Sequence, residues 1–75
     1  ANMLMTLHRD VPGLIGQIGT LLGAYNVNIA SMQVGRKIIR GDAVMVLSLD
    51  DPLPDGVIEQ ILQVPGIRDA FVVNL

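Results

Sequence analysis

Turn-forming residues break this chain at Asp10-Val11-Pro12-Gly13, at Tyr25-Asn26, between Gly35 and Gly41, from Asp51 to Gly56 and at Pro65-Gly66. Six short segments remain, and the spacing of apolar residues within each decides its structure. Residues 3–8 alternate, with Leu4, Thr6 and His8 on one side and Met3, Met5 and Leu7 on the other, a strand with one fully apolar face. Over 12–24, Leu14, Ile18, Leu21 and Tyr25 recur at steps of three and four, widened by Ile15 and Leu22, which predicts an amphipathic helix. Pro12 suits the first helical position, where its missing N–H costs nothing, and Val11, held extended by the following proline, is the expected N-cap. Residues 27–35 predict a strand whose phase slips between Val27/Ile29 and Met32/Val34; a bulge near Ala30-Ser31 reconciles the two. Residues 42–50 are apolar on both sides over much of their length, so this strand is expected at the centre of a sheet. Val57, Ile58, Ile61 and Leu62 place a second helix over 55–63, stopped by Pro65-Gly66, and a last strand runs over 67–75.

The order β-α-β-β-α-β predicts an α+β fold of the ferredoxin-like type: a four-stranded antiparallel sheet with two helices on one face. It is one domain, residues 1–75. A chain this small hides only about 60% of the surface it exposes when unfolded. With 51% apolar residues and no cysteine to form a disulfide, the surplus apolar surface calls for a partner. One histidine and no cysteine exclude a zinc finger, a redox dithiol or an iron–sulfur cluster, and the four methionines read as core filling, so no metal is expected. A net charge of −2 and only two aromatic residues, Tyr25 and Phe71, argue against nucleic acid. No apolar run approaches the roughly 18 residues of a membrane span, and the start lacks a signal-peptide layout, which predicts a cytoplasmic protein. The chain is strand-like by its third residue and reads as excised from something longer.

This fold hosts unrelated activities, so the site must decide. An acylphosphatase-like arrangement wants an Arg in the first loop and an Asn nearby. Arg9 and Asn28 are present, yet Arg9 belongs to the His8-Arg9-Asp10 turn and no glycine-rich phosphate cradle surrounds it. No catalytic residue is assigned. The junction of first strand and first helix is more informative. Its free amides, near Gly13, Leu14 and Ile15 after Pro12, favour an anion, and Asp10 favours a cation. Together they suit a zwitterion such as a free amino acid. Gly16, Gly19 and Gly23 each cost roughly 1 kcal/mol in a helix interior. That cost predicts that this helix meets a second backbone closely, in an interface that also takes in Ile29. The basic residues Arg36, Lys37 and Arg40 read as a solvated hairpin without a ligand.

The run His8-Arg9-Asp10-Val11-Pro12-Gly13-Leu14-Ile15, followed by Asn26-Val27-Asn28-Ile29-Ala30, resembles the ACT regulatory domain, and the resemblance spans the chain. The longer run from Val27 to Lys37 and the ending Phe71-Val72-Val73-Asn74-Leu75 are similar to the ACT domains that close D-3-phosphoglycerate dehydrogenases. ACT domains of serine dehydratase subunits are the second similar group. The resemblance implies a non-catalytic module that binds L-serine as a feedback inhibitor. Two copies would pair side by side through the first helix and second strand into one eight-stranded sheet. His8 and Asp10 would contact serine from one copy and Asn28 from the other. No cofactor is implied on this domain; NAD would sit on the catalytic domain of the parent chain, the other partner. The contrasting expectation is a dimerisation module that binds no ligand.

Overall fold

The computed structural model describes residues 2–9, 11–36 and 41–74. The elements follow in the expected order: β1 (Asn2–Arg9), α1 (Leu14–Ala24), β2 (Ile29–Arg36), β3 (Asp42–Leu49), α2 (Val57–Leu62) and β4 (Ile67–Asn74). The sheet order is β2-β3-β1-β4 with every pair antiparallel, so the doubly apolar β3 is central as its pattern requires. Ile29 lies opposite Leu49, but Ser31 lies opposite Ser48, which leaves Ala30 as the extra residue of a bulge. The bulge turns Met32 and Val34 to the side that Ile29 already faces, opposite the buried Leu47 and Met45.

α1 buries Leu14, Ile18 and Leu22, one residue per turn; Ile18 and Leu22 share a core with β-sheet residues Leu4, Met45 and Leu47, which Val57 and Ile61 of α2 complete. The start of α1 differs from the expectation. Gly13, not Val11, is the N-cap, with φ of 85°, and Pro12 stands before the helix rather than in it. A left-handed residue at this point turns the chain into the helix, and only glycine adopts it without a Cβ penalty. α1 ends at Tyr25 with Asn26 left-handed (φ 59°), while the Asn26 and Val27 amides donate to the Gly23 and Leu22 carbonyls. That is a Schellman closure with asparagine in the glycine position.

The two sides of β1 have roles that alternation alone leaves open. Leu4, Thr6 and His8 lie under the helices, whereas the fully apolar set of Met3, Met5 and Leu7 looks out from the uncovered side with Val44, Val46, Phe71 and Val73. β3 supplies most of the apolar surface beneath the helices, through Ala43, Met45, Leu47 and Leu49.

Candidate functional site

His8 sits near the end of β1 on the helix-bearing side, 2% exposed, level with Ala43 of β3 and Ile67 of β4. The register with β4 shifts between Leu7 and His8, and the Arg9 amide then donates to the Gly66 carbonyl at 2.9 Å. Gly66 makes this closure possible. Its φ is +100°, a conformation that side-chain-bearing residues rarely adopt, so glycine lets the turn before β4 fold against the β1–α1 connection. His8 is joined by Thr6, whose Oγ1 lies 3.3 Å from His8 Nδ1. Both are buried polar residues in a layer otherwise made of aliphatic side chains.

Beyond His8, the Val11 amide donates to the Arg9 carbonyl, and Pro12, Gly13 and Ile15 are exposed. Leu14 points the other way, into the core at 1% exposure, so only its backbone amide faces the junction. No side chain caps the start of α1, and its first turn carries no acid. The first-turn amides and the helix dipole therefore favour an incoming anion. Asp10, the expected cation partner, lies outside the described residues, as do Lys37 and Arg40. Among the described residues no cluster of His, Asp or Glu could hold a metal ion. Also among them, no helix is long and apolar enough to cross a membrane.

Asn28 is not at this junction. It precedes β2, and Ile29 shares a row with Leu49 and Asn2, whereas His8 shares a row with Ala43 and Arg36 at the other end of the sheet. Six residues of strand separate the rows, roughly 20 Å. Asn28 Nδ2 donates to Asp50 Oδ2 at 2.5 Å, and the Asp50 amide donates back to the Asn28 carbonyl at 3.0 Å, a two-way clasp between the start of β2 and the end of β3. An antiparallel two-fold pairing of β2 with its own copy would bring the start of one β2 beside the end of the other, at the level of His8. A single chain does not bring Asn28 and His8 to one level of the sheet; two chains related in this way would.

The surfaces that such pairing needs are open. Cβ atoms built on Gly16, Gly19 and Gly23 meet nothing within 4 Å, so the domain's own packing does not require glycine at these positions. Gly19 and Gly23 follow Ile15 along α1, outside the face that borders α2. On the edge strand β2, Met32 is 45% and Val34 42% exposed although both face the helix side of the sheet. Ile29, expected at an interface, is half-buried at the start of β2 and packs against the core of its own chain. Gly16, also expected at an interface, lines an open groove of about 980 Å³ between α1 and the end of α2, together with Gly13, Gln17, Thr20, Gln60 and Gln63. Beside that groove the Gln60 amide donates to the Tyr25 hydroxyl. Sequence reasoning missed the groove and missed Thr6. A hydroxyl on the inner phase of an apolar strand, two residues from a histidine, was the available signal for the latter.

Comparison with known proteins agrees with this architecture. The ACT domain profile matches residues 2–66. The chain is 73% identical over 73 residues to a D-3-phosphoglycerate dehydrogenase of Synechocystis sp., covering 97% of this chain and 13% of that protein. It is 53% identical over 68 residues to a D-3-phosphoglycerate dehydrogenase of Methanocaldococcus jannaschii, covering 91% and 13% respectively. The chain therefore spans about an eighth of the length of these relatives. The crystal structure of the ACT domain from a Chlorobium tepidum GTP pyrophosphokinase superposes with a TM-score of 0.74 at 16% identity, covering 96% of this chain and 95% of that one, a likeness of fold. The split β-α-β sheet, the glycine-capped helix after His8 and the profile match over most of its length together show that this chain belongs to the ACT domain family.

Proposed function

We propose that this chain is the regulatory domain of a D-3-phosphoglycerate dehydrogenase and that it binds L-serine between two copies. The relatives at 73% and 53% identity are dehydrogenases, which favours that parent over a serine dehydratase. The catalytic chemistry and its NAD, in a cytoplasmic parent enzyme, belong to the polypeptide outside this domain. One observation carries the reading. His8 and the open amides of α1 lie at one end of the sheet and Asn28 at the other, while the side that would unite them across a dyad is unfilled.

In this arrangement the carboxylate of serine meets the first amides of α1, and His8 and Asp10 serve its remaining polar groups. Asn28 of the other copy closes the site. Its clasp with Asp50 uses one of the two carboxamide protons, so a second donor and the carbonyl oxygen remain for a ligand. Serine then inhibits by binding one pairing geometry more tightly than another and shifting the parent enzyme towards it. Calorimetric titration with L-serine, with D-serine and glycine as controls and the dimer fraction measured alongside, tests this. Saturable, stereoselective binding that Asn28→Ala abolishes while the dimer persists is the expected result. A stable dimer that gives no heat with any amino acid refutes it.

That last outcome would support a dimerisation module without a ligand. The Asn28–Asp50 clasp favours this second reading, because it gives Asn28 a local role.

A further inference from the structure

We infer that the uncovered side of the sheet is the docking surface for the part of the parent polypeptide outside this domain, and so holds the regulatory module to the rest of its enzyme. Both helices pack on one side of the four strands. On the other side Leu7, Val44 and Phe71 are 41%, 39% and 46% exposed, and Met5, Val46 and Val73 beside them are half-buried. The register sets Leu7 next to Val44 and puts Met5 between Val46 and Phe71. They form one apolar patch of roughly 400 Å², a size at which a surface patch is often functional. Arg9 and Asp69 stand at one end of it, and Ser31 and Gln33 of β2 along its flank. An apolar centre with a polar rim is the layout of a protein interface.

Side-by-side pairing across β2 would leave this surface in water, because the β2 residues on this side are Ser31, Gln33 and Gly35 and would form a polar strip between two separate patches. Face-to-face packing of two copies would bury only about 800 Å² in total, short of the roughly 1,200 Å² that a stable interface between free partners needs. A tethered partner needs less area, since the covalent link supplies a high effective concentration. This domain is 13% of the length of the Synechocystis and M. jannaschii dehydrogenases it resembles, so most of such a chain lies outside it and is tethered to it. The occupant is an apolar face of that polypeptide. The inference rests on reading this chain as one domain of a dehydrogenase, and not on serine.

The test uses the intact parent enzyme. Phe71→p-benzoylphenylalanine puts a photoreactive ketone on the patch, and the adducts formed on irradiation are mapped by mass spectrometry. Adducts to peptides outside the domain are the expected result. Adducts to this domain in a second copy, or no peptide adduct at all, overturn the proposal. Val44→Cys asks the same question with a smaller change, its reaction with a maleimide being read on the domain's own peptides. A covered thiol reacts only when the docked segment opens, so its rate should be at least about tenfold below that of Glu59→Cys on exposed α2. Equal rates overturn the proposal. Dehydrogenase activity of the wild-type enzyme is assayed separately; an enzyme that lacks it yet gives the expected adducts keeps the docking surface and refutes the dehydrogenase parent instead.

Discussion

Replacing Met32 with lysine separates the pairing surface from everything else in the domain. Met32, Val34 and Ile15 are 45%, 42% and 40% exposed in the single chain. Each leaves roughly 70 Å² of apolar surface in water, worth roughly 1.8 kcal/mol when covered at ~25 cal/mol per Å². Three such side chains in each of two copies supply about 10 kcal/mol, within the range of about 4–15 kcal/mol that association costs. A pair formed across this surface would therefore be held by a narrow margin. Met32→Lys in both copies removes about 3.5 kcal/mol of that gain. At 1.4 kcal/mol per decade, the dimer dissociation constant should rise by more than about a hundredfold. The monomer itself should keep its fold, because a lysine on an exposed edge strand is a common natural device against edge pairing. Sedimentation velocity over a concentration series measures the constant directly. A value within about threefold of wild type would show that copies of this chain do not meet across β2, and the shared-site argument would fail with it.

The glycines of α1 give an opposed pair of outcomes. Because no atom lies within 4 Å of a Cβ at Gly19, Gly19→Ala should raise the denaturation free energy of the chain by about 0.5–1 kcal/mol through helix propensity. Gly19→Leu should leave the monomer folded, by circular dichroism, and abolish the dimer in light scattering; a Gly19→Leu dimer contradicts the close approach. Gly13→Ala should cost about 1–2 kcal/mol in urea denaturation, since its φ of 85° is left-handed, and an unchanged midpoint would mean that the helix starts differently. Leu22→Ala, at a fully buried position between the helices and the sheet, should cost about 2–5 kcal/mol in the same assay, and a smaller loss would place α1 off the core.

Where the sequence pattern was informative, it was because one physical preference acted alone. The bulge at Ala30 was legible from Val27/Ile29 and Met32/Val34, since a phase reversal inside one strand has few other solutions. The central place of β3 followed from its two apolar sides. The start of α1 was misplaced because Pro12 and Gly13 both mark helix starts, and the left-handed turn at Gly13 overrode the preference of proline for the first position. The sides of β1 were ambiguous because period-two alternation states that two faces differ, not which one the helices cover. Asn28 was recognisable as an anomaly in a strand-like run. Its clasp with Asp50 was not, because the two residues meet only through the β2–β3 register.

A ligand shared between two copies makes binding and pairing a single equilibrium, and this separates a sensor from a passive dimerisation module. If Asn28 of one copy and His8 of the other both touch serine, serine strengthens the dimer, and by reciprocity the dimer strengthens serine binding by the same factor. At a concentration of L-serine about a hundredfold above its dissociation constant, each occupied site should add about 2.7 kcal/mol to the association free energy. Two sites would lower the apparent dimer dissociation constant by about ten-thousandfold, and D-serine would leave it unchanged. Met32→Lys, which touches no proposed ligand residue, should then weaken serine binding at dilute protein concentration and recover it when the protein is concentrated enough to pair. Binding of L-serine that is indifferent to protein concentration would mean a site complete within one chain. The roughly 20 Å between the rows of His8 and Ile29 leaves Asn28 no part in such a site.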